Sequence, residues 1–140
     1  MNKNVLVSVS GIQLTIDGEN PVEIISKGQY YKKNGKSYIK YKELDENNEA
    51  TDCMLKLESS RLEIIKKGKA KTCMLFELDR NCMTPYETPF GTLMMGITTT
   101  DMVVLEDDDA IVCKVKYMLD INYSFVSECM VDIKIISQAG

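Results

Sequence analysis

The chain contains no histidine, and only three prolines and eight glycines in 140 residues. Without imidazole there is no general base of the usual kind beside a serine or cysteine nucleophile, and a zinc site loses its nitrogen ligand. The five cysteines (Cys53, Cys73, Cys82, Cys113 and Cys129) are odd in number and irregularly spaced, with no Cys-x-x-Cys. That pattern argues against a metal knuckle or a disulfide framework and for reduced thiols, hence a cytoplasmic setting. No stretch approaches the roughly 20 apolar residues that span a bilayer, and the first ten residues lack the apolar core of a signal peptide, so no membrane partner is expected. No glycine cluster follows a strand and opens a helix, so no phosphate cradle and no cofactor are expected.

What remains is ordinary in amount and uneven in placement. A length of 140 residues, 44% apolar and 27% charged, suits one globular domain spanning 1–140, with a core that needs no staples. The net charge of −4 divides unequally. Residues 1–71 hold 13 basic against 10 acidic residues, a net +3; residues 72–140 hold 4 against 11, a net −7. Fifteen of the 17 basic residues are lysine, which suits solvated strand edges better than bidentate phosphate recognition.

Apolar residues recur at every second position along most of the chain, the signature of half-buried strands. Val5, Val7 and Val9 share a face; after Gly11 the parity flips to Ile12, Leu14 and Ile16, which a β-bulge at Ser10-Gly11 would correct. Segments 21–33 and 36–44 flank Asn34-Gly35, a strong hairpin signal. That turn pairs Tyr30 with Ile39, Gly28 with Tyr41 and Tyr31 with Tyr38, and sets Lys33 against Lys36. A second hairpin, 51–58 with 61–67, turns at Ser59-Ser60. It matches Glu58 with Arg61 and Lys56 with Glu63 on one face, and Leu57 with Leu62 and Leu55 with Ile64 on the other. Segment 71–78 is apolar on both faces, so its inner face stays open. The prolines of Thr84–Gly91 mark an irregular connector, and strands follow at 92–105, 110–121 and 124–136. About nine strands and no helix predict an all-β fold, a single closed or nearly closed antiparallel barrel of about 8–10 strands.

Several fragments carry a family likeness. Gly28-Gln-Tyr-Tyr-Lys, Tyr38-Ile-Lys-Tyr-Lys-Glu, Met74-Leu-Phe, Thr88-Pro-Phe-Gly-Thr-Leu, Thr98-Thr-Thr and Val115-Lys-Tyr-Met-Leu, in this order, resemble the bacterial YwiB-like proteins. The likeness runs from about Val5 to Ile136. It implies a calycin-like (lipocalin-like) barrel of unknown function, and brings no catalytic residues with it.

Two binding readings follow. Parity turns Tyr30, Ile39, Tyr41, Cys113, Tyr117 and Val131 inward. With nine methionines available as an adaptable lining, these could hold a small apolar or amphipathic molecule. The same residues would equally serve as a packed core, which is the commoner role of such sets. Alternatively, the hairpin 27–42 alternates Lys27, Lys32, Lys33, Lys36, Lys40 and Lys42 with Tyr31 and Tyr38, an arrangement that can bind protein or RNA. Lys32, Lys33 and Lys36 are its test residues, and lysines that merely keep an edge hairpin soluble are the plainer alternative. Glu106–Asp109 lacks the ligand spacing of a calcium loop and reads as a solvated turn. Cys113 and Cys129 fall on apolar faces with no base beside them, so a thiol nucleophile is disfavoured. No set of acid, base and nucleophile emerges, which places an enzyme behind a binding module.

Overall fold

The computed structural model describes residues 3–11, 23–44, 48–68 and 71–138. They form ten strands: β1 (Asn4–Ser10), β2 (Glu23–Lys33), β3 (Lys36–Leu44), β4 (Ala50–Glu58), β5 (Arg61–Lys67), β6 (Lys71–Glu77), β7 (Asn81–Thr88), β8 (Gly91–Glu106), β9 (Ala110–Ile121) and β10 (Ser124–Ser137). Every pairing is antiparallel, in the order β6-β5-β4-β3-β2-β1-β10-β9-β8-β7. β1 sits in the middle because it pairs with both β2 and β10.

The sheet curls into a nearly closed barrel. Its two ends meet at the corner after β6, where Asp79 N donates to Thr99 O (3.0 Å) and Thr99 N to Arg80 O (3.3 Å). Across the interior, the Phe76 ring of β6 meets Tyr117 of β9 edge-on, with centroids 5.0 Å apart and planes at 70°. Apolar side chains at alternate positions supply the core: Val5, Val7, Ile39, Leu55, Leu62, Ile64, Ile97, Ile111, Val115 and Ile133 are all at most 2% exposed.

Both local hairpins have the expected register. Tyr30 pairs with Ile39, Gly28 with Tyr41, Tyr31 with Tyr38, and Lys33 with Lys36. Asn34 and Gly35 take φ of 53° and 78°, the left-handed pair of a turn whose twist matches its strands. The second hairpin pairs Glu58 with Arg61, Lys56 with Glu63, Leu57 with Leu62 and Leu55 with Ile64.

One expectation changes and one open assignment closes. The connector at 84–91 is largely a strand: β7 runs through Pro85, which lies opposite Met94, and only Pro89-Phe90 turn. β7 is a terminal strand of the sheet, where a residue without an N–H leaves no ladder bond unmade. That brings the described residues to ten strands, one more than the segments read individually and within the expected 8–10. The inner face of β6 is Thr72, Met74 and Phe76, because Met74 pairs with Ile64 and Phe76 with Leu62. The parity flip expected at Ile12, Leu14 and Ile16 lies outside the described residues. Register shifts do occur at Thr99/Asp101 in β8 and Phe125/Ser127 in β10.

Candidate functional site

The interior residues singled out from parity do face inward. Ile39, Cys113, Tyr117 and Val131 are fully buried, Tyr41 is 5% exposed, and Tyr30 is half-buried against the core. They are in contact with a packed core that includes Phe76, whose inward direction could have been read by extending the β4–β5 register one strand further. Among the described residues three inner hydroxyls, Tyr41 OH, Thr99 Oγ1 and Tyr117 OH, make no hydrogen bond of good geometry, with Cys53 and Glu43 close beside Tyr41 and the weakly accepting thiol of Cys129 beside Tyr117. Burial raises the Tyr41 phenol above its ordinary range, with the neighbouring Cys53 and the Glu43 carboxylate adding to it. The Tyr117 phenol is raised chiefly by burial, with Cys129 next. Burial likewise pushes the Cys113 thiol up to about 12, with Asp132 adding, and the Cys53 thiol up to about 11. Such thiols stay protonated and poorly nucleophilic.

Two ion pairs occupy inner-facing positions near the strand ends. Lys66 Nζ reaches Glu43 Oε2 at 3.1 Å and Oε1 at 3.3 Å, close to Cys53. At the other end Lys32 Nζ meets Glu106 Oε1 at 3.5 Å, joining β2 to β8 across the mouth. The acidic turn is held by its own carboxylate, since Asp107 Oδ1 accepts from the N–H groups of Asp109 and Ala110, both at 2.8 Å.

Of the hairpin-tip lysines, Lys32 is therefore tied to Glu106, Lys36 pairs with Glu58 at 3.8 Å, and Lys33 is exposed opposite Lys36. All three lie outside a concavity on the surface of the barrel. That concavity is an open groove of about 1050 Å³, lined by Lys27, Lys40, Lys42, Lys56, Lys67 and Lys71 together with Asn4, Gln29, Asp52, Met54, Ile65 and others. The named positions face outward, and Gly28, Tyr41 and Cys53 of the inner face also line the groove, which crosses the outer wall of the barrel.

The cross-strand registers assemble it in rows. Gln29 of β2 stands opposite Lys40 of β3, Lys40 opposite Met54 of β4, and Met54 opposite Ile65 of β5, giving a floor with an apolar centre. On one side runs a basic row. Lys27 flanks the Gly28–Tyr41 pair, Lys42 pairs with Asp52, Asp52 with Lys67, and Lys67 with Lys71. From β2 to β6 is four strand steps of about 4.8 Å, so this row spans about 19 Å. On the other side Tyr31 pairs with Tyr38 and Tyr38 with Lys56. The two tyrosine rings stack with centroids 5.0 Å apart and planes 5° from parallel, and Lys40 Nζ lies 5.7 Å above the Tyr31 centroid.

Sequence reasoning reached Lys27, Lys40 and Lys42 through the hairpin and missed Lys56, Lys67 and Lys71. The missing signal was the β3–β4 register, which joins the two hairpins into one surface. Six lysines, against Asp52 in the described lining and Glu63 opposite Lys56 at its edge, make the groove basic in a protein of net charge −4. Lys67 facing Lys71 is a like-charge pair that costs stability until an anion screens it.

Among the described residues no helix is long and apolar enough to cross a membrane. No curated protein matches the sequence. The crystal structure of the ywiB protein from Bacillus subtilis is similar, with a TM-score of 0.75, 18% identity, and coverage of 97% of this chain and 91% of that one. At that identity the likeness speaks for the fold. The family described as Domain of unknown function (DUF1934) matches residues 7–133, nearly the whole barrel from β1 to β10, and the chain belongs to that family.

Proposed function

We propose that the protein is a binding module whose working surface is the lysine-lined groove on the outer wall, and that its partner is a polyanionic macromolecule. The supporting observation is the groove itself: six lysines from five neighbouring strands around an apolar floor, with Asp52 the one carboxylate in the described lining and Glu63 opposite Lys56 at its edge. Of these, Lys42 has a carboxylate within 4 Å, and that pair is exposed and weak (3.8 Å, side chains 72% and 68% exposed). A concave surface of one sign concentrates counter-ions of the other and steers them inward.

Titration with inorganic polyphosphate tests this. The protein with Lys27, Lys67 and Lys71 all changed to Gln should bind at least tenfold more weakly than the natural sequence at low salt. Equal affinity in the two proteins would remove the groove from the reading.

A second reading is favoured by the three unpartnered inner hydroxyls: a small apolar or amphipathic molecule inside the barrel, its polar atoms meeting Tyr41, Thr99 or Tyr117. It ranks behind the groove because the inner side chains already pack on one another. Native mass spectrometry of protein isolated from its own cell decides it. A bare-chain mass alone would sink the idea.

A further inference from the structure

Charge alone would serve any polyanion, and the groove offers more than charge. Its floor is apolar at Met54 and Ile65, and beside it stands a parallel pair of tyrosine rings already in stacking geometry. Lys40 covers the Tyr31 end of that stack, and Lys56 is the cross-strand neighbour of Tyr38 at the other end. We propose that the groove takes single-stranded nucleic acid, its phosphates along the Lys27–Lys42–Lys67–Lys71 row and its bases on the Met54–Ile65 floor and the Tyr31–Tyr38 stack. The proposal rests on the polyanion reading above and narrows it.

The dimensions and chemistry agree with this assignment. A basic row about 19 Å long can follow several consecutive phosphates. The floor between that row and the tyrosines lets bases lie flat on apolar side chains, which only unpaired bases can do. A duplex keeps its base faces stacked inside. Inorganic polyphosphate has no rings, and an acidic peptide gains nothing specific from a pair of parallel phenols. The groove lysines are point charges, and the lining contains no arginine to fork onto a guanine edge. Binding should therefore tolerate any sequence. Neutralising about four phosphates along that row gives a slope near −2.8 in a plot of log affinity against log salt, or roughly a fiftyfold loss between about 50 and 200 mM.

Fluorescence anisotropy tests this with labelled RNA and DNA strands of about ten nucleotides. The same RNA as a duplex, inorganic polyphosphate and poly-glutamate of equal charge serve as competitors. Single strands should bind at least tenfold more tightly than any of the three. Whichever sugar binds more tightly names the natural source, and either supports the proposal. Replacing both rings (Tyr31→Ile, Tyr38→Ile) keeps strand propensity and should weaken single strands about five- to a hundredfold while leaving polyphosphate affinity unchanged. Thermal melting confirms that the variant is folded, and Met54→Glu, which places an anion on the floor, is the second probe. Polyphosphate, duplex or poly-glutamate binding as well as single strands, or ring variants that lose nothing, would overturn this inference and leave the polyanion groove standing. Single strands that bind the Lys27, Lys67 and Lys71 to Gln protein as well as the natural one would overturn both.

Discussion

Tyr117→Phe removes one oxygen and nothing else, and its effect on stability has a sign fixed by the structure. Tyr117 is fully buried, its ring lies edge-on to Phe76 at 5.0 Å, and its hydroxyl has no partner. Cys129 pairs with Tyr117 across β9 and β10, but a thiol is a weak acceptor, and Cys129 Sγ lies 3.1 Å from Ser127 Oγ. A buried hydroxyl with nothing to bond costs about 1–3 kcal/mol. The void left by one oxygen, about 15 Å³, costs about 0.4 kcal/mol at about 24 cal/mol per Å³. The ring contact is kept. The variant should therefore be more stable by about 1–2 kcal/mol, or about 3–6 °C in Tm at about 3 °C per kcal/mol for a chain of this length. Thr99→Val should do the same by about 1 kcal/mol, since Thr99 Oγ1 is also orphaned and faces Tyr117 across β8 and β9. Urea titration at neutral pH of the two variants and the double variant closes a cycle. Independent orphans add; a shared internal water makes both single changes destabilising and the double less than their sum. A Tyr117→Phe protein that melts 3 °C or more below the natural one would refute the assignment of an unpaired hydroxyl.

Three further changes probe the barrel. A methyl group at Gly28 would lie 2.8 Å from the Lys40 carbonyl oxygen, 3.0 Å from Val7 Cγ2 and 3.3 Å from Tyr41 Cβ. The nearest of these is backbone and cannot swing away, so Gly28→Ala should cost about 1–3 kcal/mol by urea unfolding, and a neutral result would contradict the close packing of β2 on β3. Tyr123, 81% exposed at the β9–β10 turn, holds φ at 67°, a region costly for a bulky side chain. Tyr123→Gly should raise stability by about 1 kcal/mol, and a lower Tm would show that the ring makes a contact worth more than the strain. Finally, the Cys113 thiol ionises near 9.0 when unfolded and at about 12 when folded. Above pH 9 the unfolded chain binds fewer protons than the folded one, so stability is intact below pH 9 and falls as pH rises towards 12, by about 1 kcal/mol at pH 10 from this group. Cys113→Ala should flatten that decline in alkaline urea melts; an unchanged slope would mean that Cys113 does not drive it.

Local pairing was legible because its determinants are local. Asn34-Gly35 demands left-handed φ at two successive positions, and that alone sets which residues of β2 and β3 face each other. Charge and branching did the same for β4 and β5. Pro85 misled because proline excludes a residue from a central strand and not from a terminal one, and which strand is terminal depends on the closure at Thr99, fourteen residues away. Segment 71–78 was ambiguous for a related reason. With Cys73 and Leu75 on one face and Met74 and Phe76 on the other, only pairing with Leu62 and Ile64 decides which side meets Tyr117.

The inside of this barrel and its outside obey different rules of inference. An inward side chain is fixed by parity within one strand, because a slip of one residue would expose the whole apolar set. Tyr30, Ile39, Tyr41, Cys113 and Tyr117 are therefore readable one strand at a time. An outer surface has no such requirement. Lysines at positions 27, 42, 67 and 71 satisfy any solvated face, and nothing in their own strands says that they share a row. They become a site only through four successive registers, β2 on β3, β3 on β4, β4 on β5 and β5 on β6, each of which could shift by two residues and still bury the same core side. What holds the two hairpin registers is the Asn34-Gly35 turn between β2 and β3, and between β4 and β5 the pairing of Leu55 with Ile64 inside and Lys56 with Glu63 outside. The pairs that make the core stable thus also aim the lysines, and a register change that spared the core would scatter the groove.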